Sequence, residues 1–215
     1  VDLVPRLVDA ESWSELGRGL TQRSRALDLF LHDVYGDRAV VKDGIVPAWV
    51  IEGAPGLLSI GALLNQQSVR AHICGMDLVR DEQGEWFLLE DNLRVPSGLG
   101  YAVQNRRLSK AVMPDLPRPD SLLDVENVAA LLKETLEQAA LPAAGDNPQV
   151  VLLSEGPEGS AWFEHRMLGE EMGVPVAGIG DLLVDDEKIY LLRDGARTRV
   201  DVLYLRVDED DLVHT

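Results

Sequence analysis

Cysteine, positive charge and long apolar runs are all scarce in this 215-residue chain. The single cysteine, Cys74, excludes an internal disulfide and a zinc site built from cysteines. No apolar run reaches the roughly 18 to 20 residues that a membrane-spanning helix needs, and the first residues lack the basic and apolar regions of a signal peptide. We therefore expect a cytoplasmic protein with no membrane partner.

Positive residues are outnumbered, since 20 Lys and Arg stand against 37 Asp and Glu, for a formal net charge of −17. Such a surface repels the phosphate backbone of nucleic acids, which we exclude as partners. The 46% hydrophobic and 27% charged residues are typical of globular proteins, and the length allows one or two domains.

Apolar spacing predicts the elements of the first half. A long amphipathic helix is expected over 11–35, because apolar residues recur there at mostly three- and four-residue steps. Short extended segments separated by turns are expected over 39–51. Two strands, 69–79 and 85–90, are joined by the turn sequence 81–84, which predicts a hairpin.

Two further helices are predicted over 99–113 and 122–141, and a polar linker at 143–148 follows them. Beyond the linker, an uninterrupted apolar strand at 150–153, a helix at 161–172 and a short strand at 174–176 predict one right-handed β-α-β unit. Two more strands are expected, over 188–192 and 200–206. We place the domain boundary in the linker and expect an α/β protein with domains 1–142 and 149–215.

Acidic and amide side chains at the hairpin suggest a metal site. On a strand Glu90 and Asn92 share one face while Asp91 lies on the other, and pairing across the hairpin can bring Asp77 near the first face. Carboxylate and amide oxygens are ligands of Mg²⁺, which leaves its other positions to phosphate and water. The alternative is a solvated strand edge without a ligand.

The residues after this strand favour the metal–phosphate interpretation. Arg94 carries an always-charged donor fork suited to phosphate or carboxylate. Ser97 and Gly98 form a loop whose backbone amides can approach a ligand closely.

The loop at 154–160 contains Ser160 next to a predicted helix N-terminus, where it serves either as a helix cap or as a contact for a substrate carboxylate or amine. His165, in that helix, is interpreted as a packed, hydrogen-bonded side chain.

Five short motifs resemble one known family. The longest is LEDNLRVPSG at 89–98, and the supporting motifs are GLTQR at 19–23, DLVRD at 77–81, FEH at 163–165 and VDV at 200–202. Together they resemble the circularly permuted ATP-grasp family, relatives of glutathionylspermidine synthase. The likeness runs from about Pro5 to Leu212.

The resemblance implies a fold and a set of roles. It implies a partial, circularly permuted ATP-grasp module followed by a Rossmann-like β-α-β domain, which precedes the rest of the ATP-grasp module. By resemblance, Asp77, Glu90 and Asn92 hold the Mg²⁺ ions that bridge the phosphates of ATP. Arg94 takes a catalytic role, and Arg94, Ser97 and Gly98 contact the substrate or the phosphoryl group.

The implied activity of the intact protein is ATP-dependent ligation of a small-molecule or peptide carboxylate to an amine through an acyl phosphate. The ATP-clamping lysines and most of the adenine pocket are expected beyond Thr215, so this chain is expected to be an N-terminal fragment that is inactive alone. Two alternatives stay open: a non-catalytic binding or assembly module derived from an ATP-grasp fold, and a metal-dependent phosphate-ester hydrolase, which would require more acidic or histidine ligands.

Overall fold

A computed structural model describes residues 5–64, 68–208 and 212 of the chain. The described residues divide into two units. The first is formed by Leu7–Leu93, and the second by Arg94 onward together with the short stretch before Leu7.

The first unit begins with helix α1, Ala10–Val34, which confirms the predicted long helix. Asp9 is its N-cap, and the Asp9 carboxylate accepts a hydrogen bond from the Ser12 amide at 2.9 Å. This bond satisfies one of the amides that the first turn of a helix leaves without a backbone partner.

Two short helices, α2 (Ala39–Lys42) and α3 (Ala48–Glu52), occupy the region predicted as extended, so that prediction is wrong. The cause lies outside the segment. The Asp33 carboxylate accepts hydrogen bonds from the amides of Ala39 at 2.8 Å and Val40 at 3.0 Å, which stabilises the first turn of α2. A 3₁₀ helix, Ser59–Leu63, follows α3.

The predicted hairpin is present as β1 (Gly75–Arg80) and β2 (Trp86–Asn92), which pair antiparallel. The first strand begins six residues later than the expected start at Val69. The turn closes as its sequence predicts, since Gly84 adopts a φ of 89° and the Asp81 carboxylate accepts from the Glu85 amide at 2.8 Å.

The second unit contains helices α4 (Leu99–Val112) and α5 (Val128–Gln138). The first matches its prediction closely, whereas the second is shorter than the predicted 122–141. A 3₁₀ turn at Pro142–Ala144 follows α5, because proline at the start of a new turn prevents the helix from continuing.

Strand β3 (Val150–Ser154), helix α6 (Trp162–Met172) and strand β4 (Val176–Ala177) form the predicted β-α-β unit, with the two strands parallel. Helix and strand approach closely at Gly169, where an added Cβ would lie 2.3 Å from the Val176 Cγ2. Both α4 and α5 pack against α6. The predicted boundary at 143–148 therefore lies inside this unit, and the division into domains 1–142 and 149–215 stays a prediction.

Three antiparallel strands follow: β5 (Leu182–Asp185), β6 (Lys188–Arg193) and β7 (Ala196–Val200). The strand expected over 200–206 is interrupted at Asp201, after which β8 runs over Val202–Arg206. Asp201 exchanges hydrogen bonds with Gln149, since the Asp201 amide donates to the Gln149 carbonyl and the Asp201 carboxylate accepts from the Gln149 amide, both at 2.9 Å.

Strand β3 lies at the centre of a parallel sheet, between β4 and β8. Its residues are all buried, and Leu152 and Leu153 have no exposed surface. This burial on both faces explains why the strand reads as one apolar run. In the part of the chain that the structure describes, no helix is both long and apolar enough to cross a membrane.

Candidate functional site

The residues predicted for the site fall into both units, and each group has its own geometry. Asp77, Glu90 and Asn92 lie on the hairpin of the first unit. Arg94, Ser97, Gly98 and Ser160 belong to the second.

The hairpin register places the three predicted metal ligands on one face. Asp77 pairs directly with Glu90, and Asn92 pairs with Gly75, two positions along the same face. The Asn92 Nδ2 donates a hydrogen bond to the Glu90 Oε1 at 3.1 Å. A bulge follows immediately, because Leu78 pairs with Leu88 and leaves Leu89 as the extra residue.

The donor set of this hairpin face fits a magnesium ion. Asp77 and Glu90 are exposed, so their carboxylates are accessible to a hydrated cation. Because the amide nitrogen of Asn92 faces Glu90, the Asn92 oxygen is turned away from that hydrogen bond and can act as a ligand. Within the described ranges no cluster of three or more His, Cys, Asp or Glu side chains could hold a metal. Two carboxylates and one amide suit an ion that keeps several positions for water and phosphate.

The opposite face of the same strand carries an ion pair. Asp91 accepts two hydrogen bonds from Arg23 of α1, at 2.7 Å from Nε and 2.6 Å from Nη2. These bonds hold the pKa of the Asp91 carboxyl below its usual value. The alternation of the strand therefore separates Asp91, which joins β2 to α1, from the face of Glu90 and Asn92.

In the second unit, residues 94–98 form an irregular loop, as proline and glycine predict. Val95 has a φ of 35° and Gly98 a φ of 123°. The first value is unusual, because a β-branched residue rarely adopts the left-handed region and a residue before proline avoids helical conformations. Arg94 forms an ion pair with Asp208 at 3.2 Å, with 54% and 64% of the two side chains exposed.

The Glu164 side chain of α6 binds the C-terminal end of this loop. Its Oε1 accepts hydrogen bonds from the amides of Gly98 at 2.9 Å and Gly100 at 2.8 Å, the first turn of α4. Only 1% of the Glu164 residue is exposed. Its second oxygen, Oε2, has no hydrogen-bond partner among the described residues and lies 3.7 Å from the Arg206 Nη2.

Arg206 of β8 holds the middle of the loop. Its guanidinium donates to the Pro96 carbonyl at 2.7 Å and to the Ser97 Oγ at 2.5 Å. A third N–H, on Nε, is directed at the His165 Nε2 at 3.3 Å. The fork of the arginine therefore ties the loop to both α6 and the parallel sheet.

His165 is buried and hydrogen-bonded, as predicted from the sequence. Burial, and secondarily the positive charge of Arg206, lowers the pKa of His165 to about 4, so the ring is neutral at pH 7. Because Arg206 can only donate, the His165 Nε2 must accept, and the proton sits on Nδ1. This Nδ1–H donates to the Ser154 Oγ, 2.8 Å away, which also accepts from the Gly156 amide.

Ser160 lies exposed in the turn before α6. The N-cap of that helix is Ala161, with no side-chain cap, so Ser160 does not cap it. Contact with a substrate stays a prediction for this residue.

Glu164 and Arg206 were not predicted as partners of this loop, although the sequence carries a signal for each. Glu164 shares a helix stripe with Leu168 and Met172 at four-residue spacing, which marks a charged residue on a buried face. Arg206 alternates with Tyr204 on the buried side of β8. A charge on an apolar face requires a buried partner.

Known proteins resemble this chain in sequence. The family model described as circularly permuted ATP-grasp type 2 matches residues 5–215. A Frankia alni protein named "Putative glutamate–cysteine ligase 2-3" is 55% identical over 98% of this chain and 25% of its own length. A Frankia casuarinae protein named "Putative glutamate–cysteine ligase 2-2" is 50% identical, with the same two shares.

An uncharacterized protein of Synechocystis is 43% identical over 98% of this chain and 44% of its own length. The chain therefore spans a quarter to less than half the length of these relatives. Among solved structures, a glutathione synthetase-like effector from Globodera pallida in apo form is similar, with a TM-score of 0.46 and 19% identity over 64% of this chain and 37% of that chain.

Proposed function

Because this chain belongs to the circularly permuted ATP-grasp type 2 family, we propose that it supplies the metal-binding and substrate-binding part of an ATP- and Mg²⁺-dependent carboxylate–amine ligase. The names of the Frankia relatives describe the joining of glutamate to cysteine, which couples a carboxylate to an amine. The proposed substrates are therefore a small-molecule or peptide carboxylate and an amine, and the proposed compartment is the cytoplasm.

The arrangement of Asp77, Glu90 and Asn92 is the observation that carries this proposal. The hairpin register puts two exposed carboxylates and an amide oxygen on one face. These residues would hold Mg²⁺, which neutralises charge on the phosphates of ATP. Asp91, between two of them, is occupied by Arg23 and takes no part.

Residues 94–98 are the proposed substrate contacts. Arg94 offers a two-pronged donor, Ser97 a hydroxyl and Gly98 a close backbone approach, all of which suit an oxyanion. In the proposed reaction the substrate carboxylate attacks the γ-phosphorus of ATP and releases ADP. The amine then attacks the acyl carbon, phosphate leaves, and the nitrogen loses a proton. Ser160 is proposed as a further contact for the carboxylate or the amine.

The parallel β3–α6–β4 unit supports the finer assignment of residues 149–215 as a Rossmann-like domain of the kind that precedes the ATP-grasp module. In that assignment the hairpin and residues 94–98 both belong to the partial ATP-grasp part, 1–142.

The test uses the full-length protein that carries this chain. ATP-dependent phosphate release is measured with candidate carboxylate and amine pairs, while Mg²⁺ is titrated. The double variant Asp77→Asn/Glu90→Gln should lower turnover at least about 100-fold and raise the Mg²⁺ concentration needed for half-maximal rate. Glu82→Gln is the matched control, because Glu82 is an exposed carboxylate in the turn of the same hairpin.

Equal Mg²⁺ dependence in the double variant and wild type would contradict the assignment of the metal ligands. Absence of ATP-dependent ligation in the wild type would favour the non-catalytic module. We also expect residues 1–215 alone to bind Mg-ATP more weakly than the full-length protein in a calorimetric titration, and equal, tight binding would show that the nucleotide site is complete within this chain.

A further inference from the structure

We propose that Glu164 and Arg206 are positioning residues for the ligase, which hold residues 95–98 in a strained conformation and orient the Ser97 hydroxyl as a donor to the substrate oxyanion. The inference rests on the proposed function, because it assigns the substrate to this loop.

The backbone at Val95 shows that something outside the loop determines its shape. A φ of 35° is unfavourable for a β-branched residue, and the following Pro96 makes it more so. Such a conformation persists only where the surroundings over-determine it, and it is concentrated at functional sites. The loop therefore requires contacts stronger than its own preferences.

The required contacts come from two buried, opposite charges. Glu164 accepts from the amides of Gly98 and Gly100, and Arg206 donates to the Pro96 carbonyl and the Ser97 Oγ. Their side chains are 1% and 2% exposed. Charge-assisted hydrogen bonds between buried charges and polar groups are strong, so the loop is held directly after its strained residue, Val95.

The direction of the Ser97–Arg206 bond sets the direction of the hydroxyl proton. A guanidinium has donors only, so the Ser97 Oγ is the acceptor, and its own O–H must donate elsewhere. Because Ser97 is exposed, that donor is presented to solvent and to a ligand. A carboxylate or phosphoryl oxygen accepts such a bond, whereas an ammonium group cannot.

The test is a double-mutant cycle in the full-length protein with Arg206→Lys, Ser97→Ala and the combination. A lysine offers one ammonium and cannot reach the same three acceptors. Each single variant should raise the KM for the carboxylate substrate at least tenfold with the KM for ATP changed less than twofold. The combination should be no more than about twofold worse than either single variant, since Arg206 acts through Ser97. Ser97→Thr keeps the hydroxyl, so its KM for the carboxylate substrate should be close to that of the wild type and not to that of Ser97→Ala.

The matched control is Arg118→Lys. The Arg118 guanidinium is half-buried and, like that of Arg206, donates to backbone carbonyls, those of Ser109 at 2.8 Å and Met113 at 2.9 Å, at the end of α4. Its replacement should leave the carboxylate KM unchanged. If Arg206→Lys does not fold, Glu164→Gln replaces it in the cycle, because it keeps an acceptor oxygen and removes the charge.

Additive effects, or an unchanged carboxylate KM, would overturn the positioning role while leaving the ligase function intact. A wild type without ATP-dependent ligation would instead remove the proposed function. In that case amide hydrogen exchange at Gly98 tests whether Arg206 holds residues 95–98 in their observed conformation. Exchange should accelerate at least tenfold in Arg206→Lys and remain unchanged in Arg118→Lys, and unchanged exchange in both would overturn it.

Discussion

Two arginine–carboxylate pairs, one in each unit, differ in the distance between their charged atoms and in the exposure of their side chains. The Arg23–Asp91 pair is bidentate at 2.7 and 2.6 Å, with side chains 46% and 15% exposed. The Arg206–Glu164 pair is separated by 3.7 Å, with side chains 2% and 1% exposed. By distance alone the first pair would be judged the stronger.

Burial reverses that ranking for stability. An exposed pair is screened by water and typically contributes about 0.2–1 kcal/mol. A buried charge that loses its partner cannot be solvated, so removing one member costs about 3–5 kcal/mol. The closer pair joins a strand to a helix, whereas the more distant pair holds a strained loop through three hydrogen bonds to that loop and one to the first turn of α4.

The largest expected effect follows from Glu164→Ala. This variant leaves Arg206 buried without its counter-charge and the amides of Gly98 and Gly100 without an acceptor. We expect a loss of about 3–5 kcal/mol in the free energy of unfolding, measured by denaturant titration. Glu170→Ala is the control on the same helix, because Glu170 is 70% exposed and lies 4.0 Å from Arg166. It should cost less than about 0.5 kcal/mol, and equal costs for the two variants would remove the distinction between buried and exposed pairs.

The second prediction extends the comparison to pH. Because the pKa of His165 is lowered to about 4 in the folded protein from an ordinary value of 6.5, the unfolded chain binds the proton first as the pH falls. The contribution of neutral His165 to the free energy of unfolding is fully present above about pH 6.5. It declines toward pH 4 by at most about 1.4 kcal/mol per pH unit and about 3 kcal/mol in total. The Asp91 pKa is lowered from 3.8, so most of the stability that the exposed pair loses on acidification is lost below this window.

Denaturant titrations between pH 7 and pH 4 check this prediction. His165→Gln should flatten the decline in the free energy of unfolding, because the amide retains an acceptor for Arg206 and does not titrate. His72→Gln, at an exposed histidine, should leave the slope unchanged. A slope in His165→Gln identical to that of wild type would assign the decline to other groups.

The third prediction concerns Arg94, whose exposed pair with Asp208 resembles the Arg23–Asp91 pair but lies on the proposed substrate loop. Arg94→Lys should lower the ATP-dependent ligation rate of the full-length protein at least tenfold, or about 1.4 kcal/mol in the barrier, with little change in Tm. Asp208→Asn breaks the same ion pair and keeps the arginine, so it should retain the rate. A rate equally low in both variants, or lost thermal stability with unchanged turnover, would assign Arg94 to the fold.

The smallest effect is expected for the Arg23–Asp91 pair itself. A double-mutant cycle with Arg23→Gln and Asp91→Asn should give a coupling of at most about 1 kcal/mol, which decreases with added salt. A coupling of several kcal/mol that is independent of salt would show that 15% exposure of Asp91 is enough to make the pair behave as a buried one.

Local patterns predicted much of the fold. Apolar spacing located α1 and α4, the turn sequence located the β1–β2 hairpin, and the apolar run located β3. Each of these signals lies inside the element that it predicts. Helix α2 could not be predicted in this way, because Asp33, whose carboxylate accepts from the amides of its first two residues, lies outside the segment.

The candidate site likewise contains residues that local patterns predict and contacts that they do not. Strand alternation and the LEDNLRVPSG motif were sufficient to select Asp77, Glu90, Asn92, Arg94, Ser97 and Gly98, because each argument involved neighbours in the chain or one hairpin. The sequence could not show that Leu89 bulges between the paired residues, since register is a property of two strands.

The conformation of the loop that carries Arg94 depends on tertiary contacts. Its hydrogen-bond partners lie 66 residues away for Gly98–Glu164 and 110 residues away for Pro96–Arg206. No local periodicity can reveal such partners, because they become neighbours only when α6 and β8 pack together. The sequence alone determined which polar groups the hairpin and the loop after it contain, namely carboxylate and amide oxygens followed by hydrogen-bond donors. Folding decided that these groups are at least partly exposed and that Glu164 and Arg206, which hold the loop, are buried, because burial depends on the packing of distant elements.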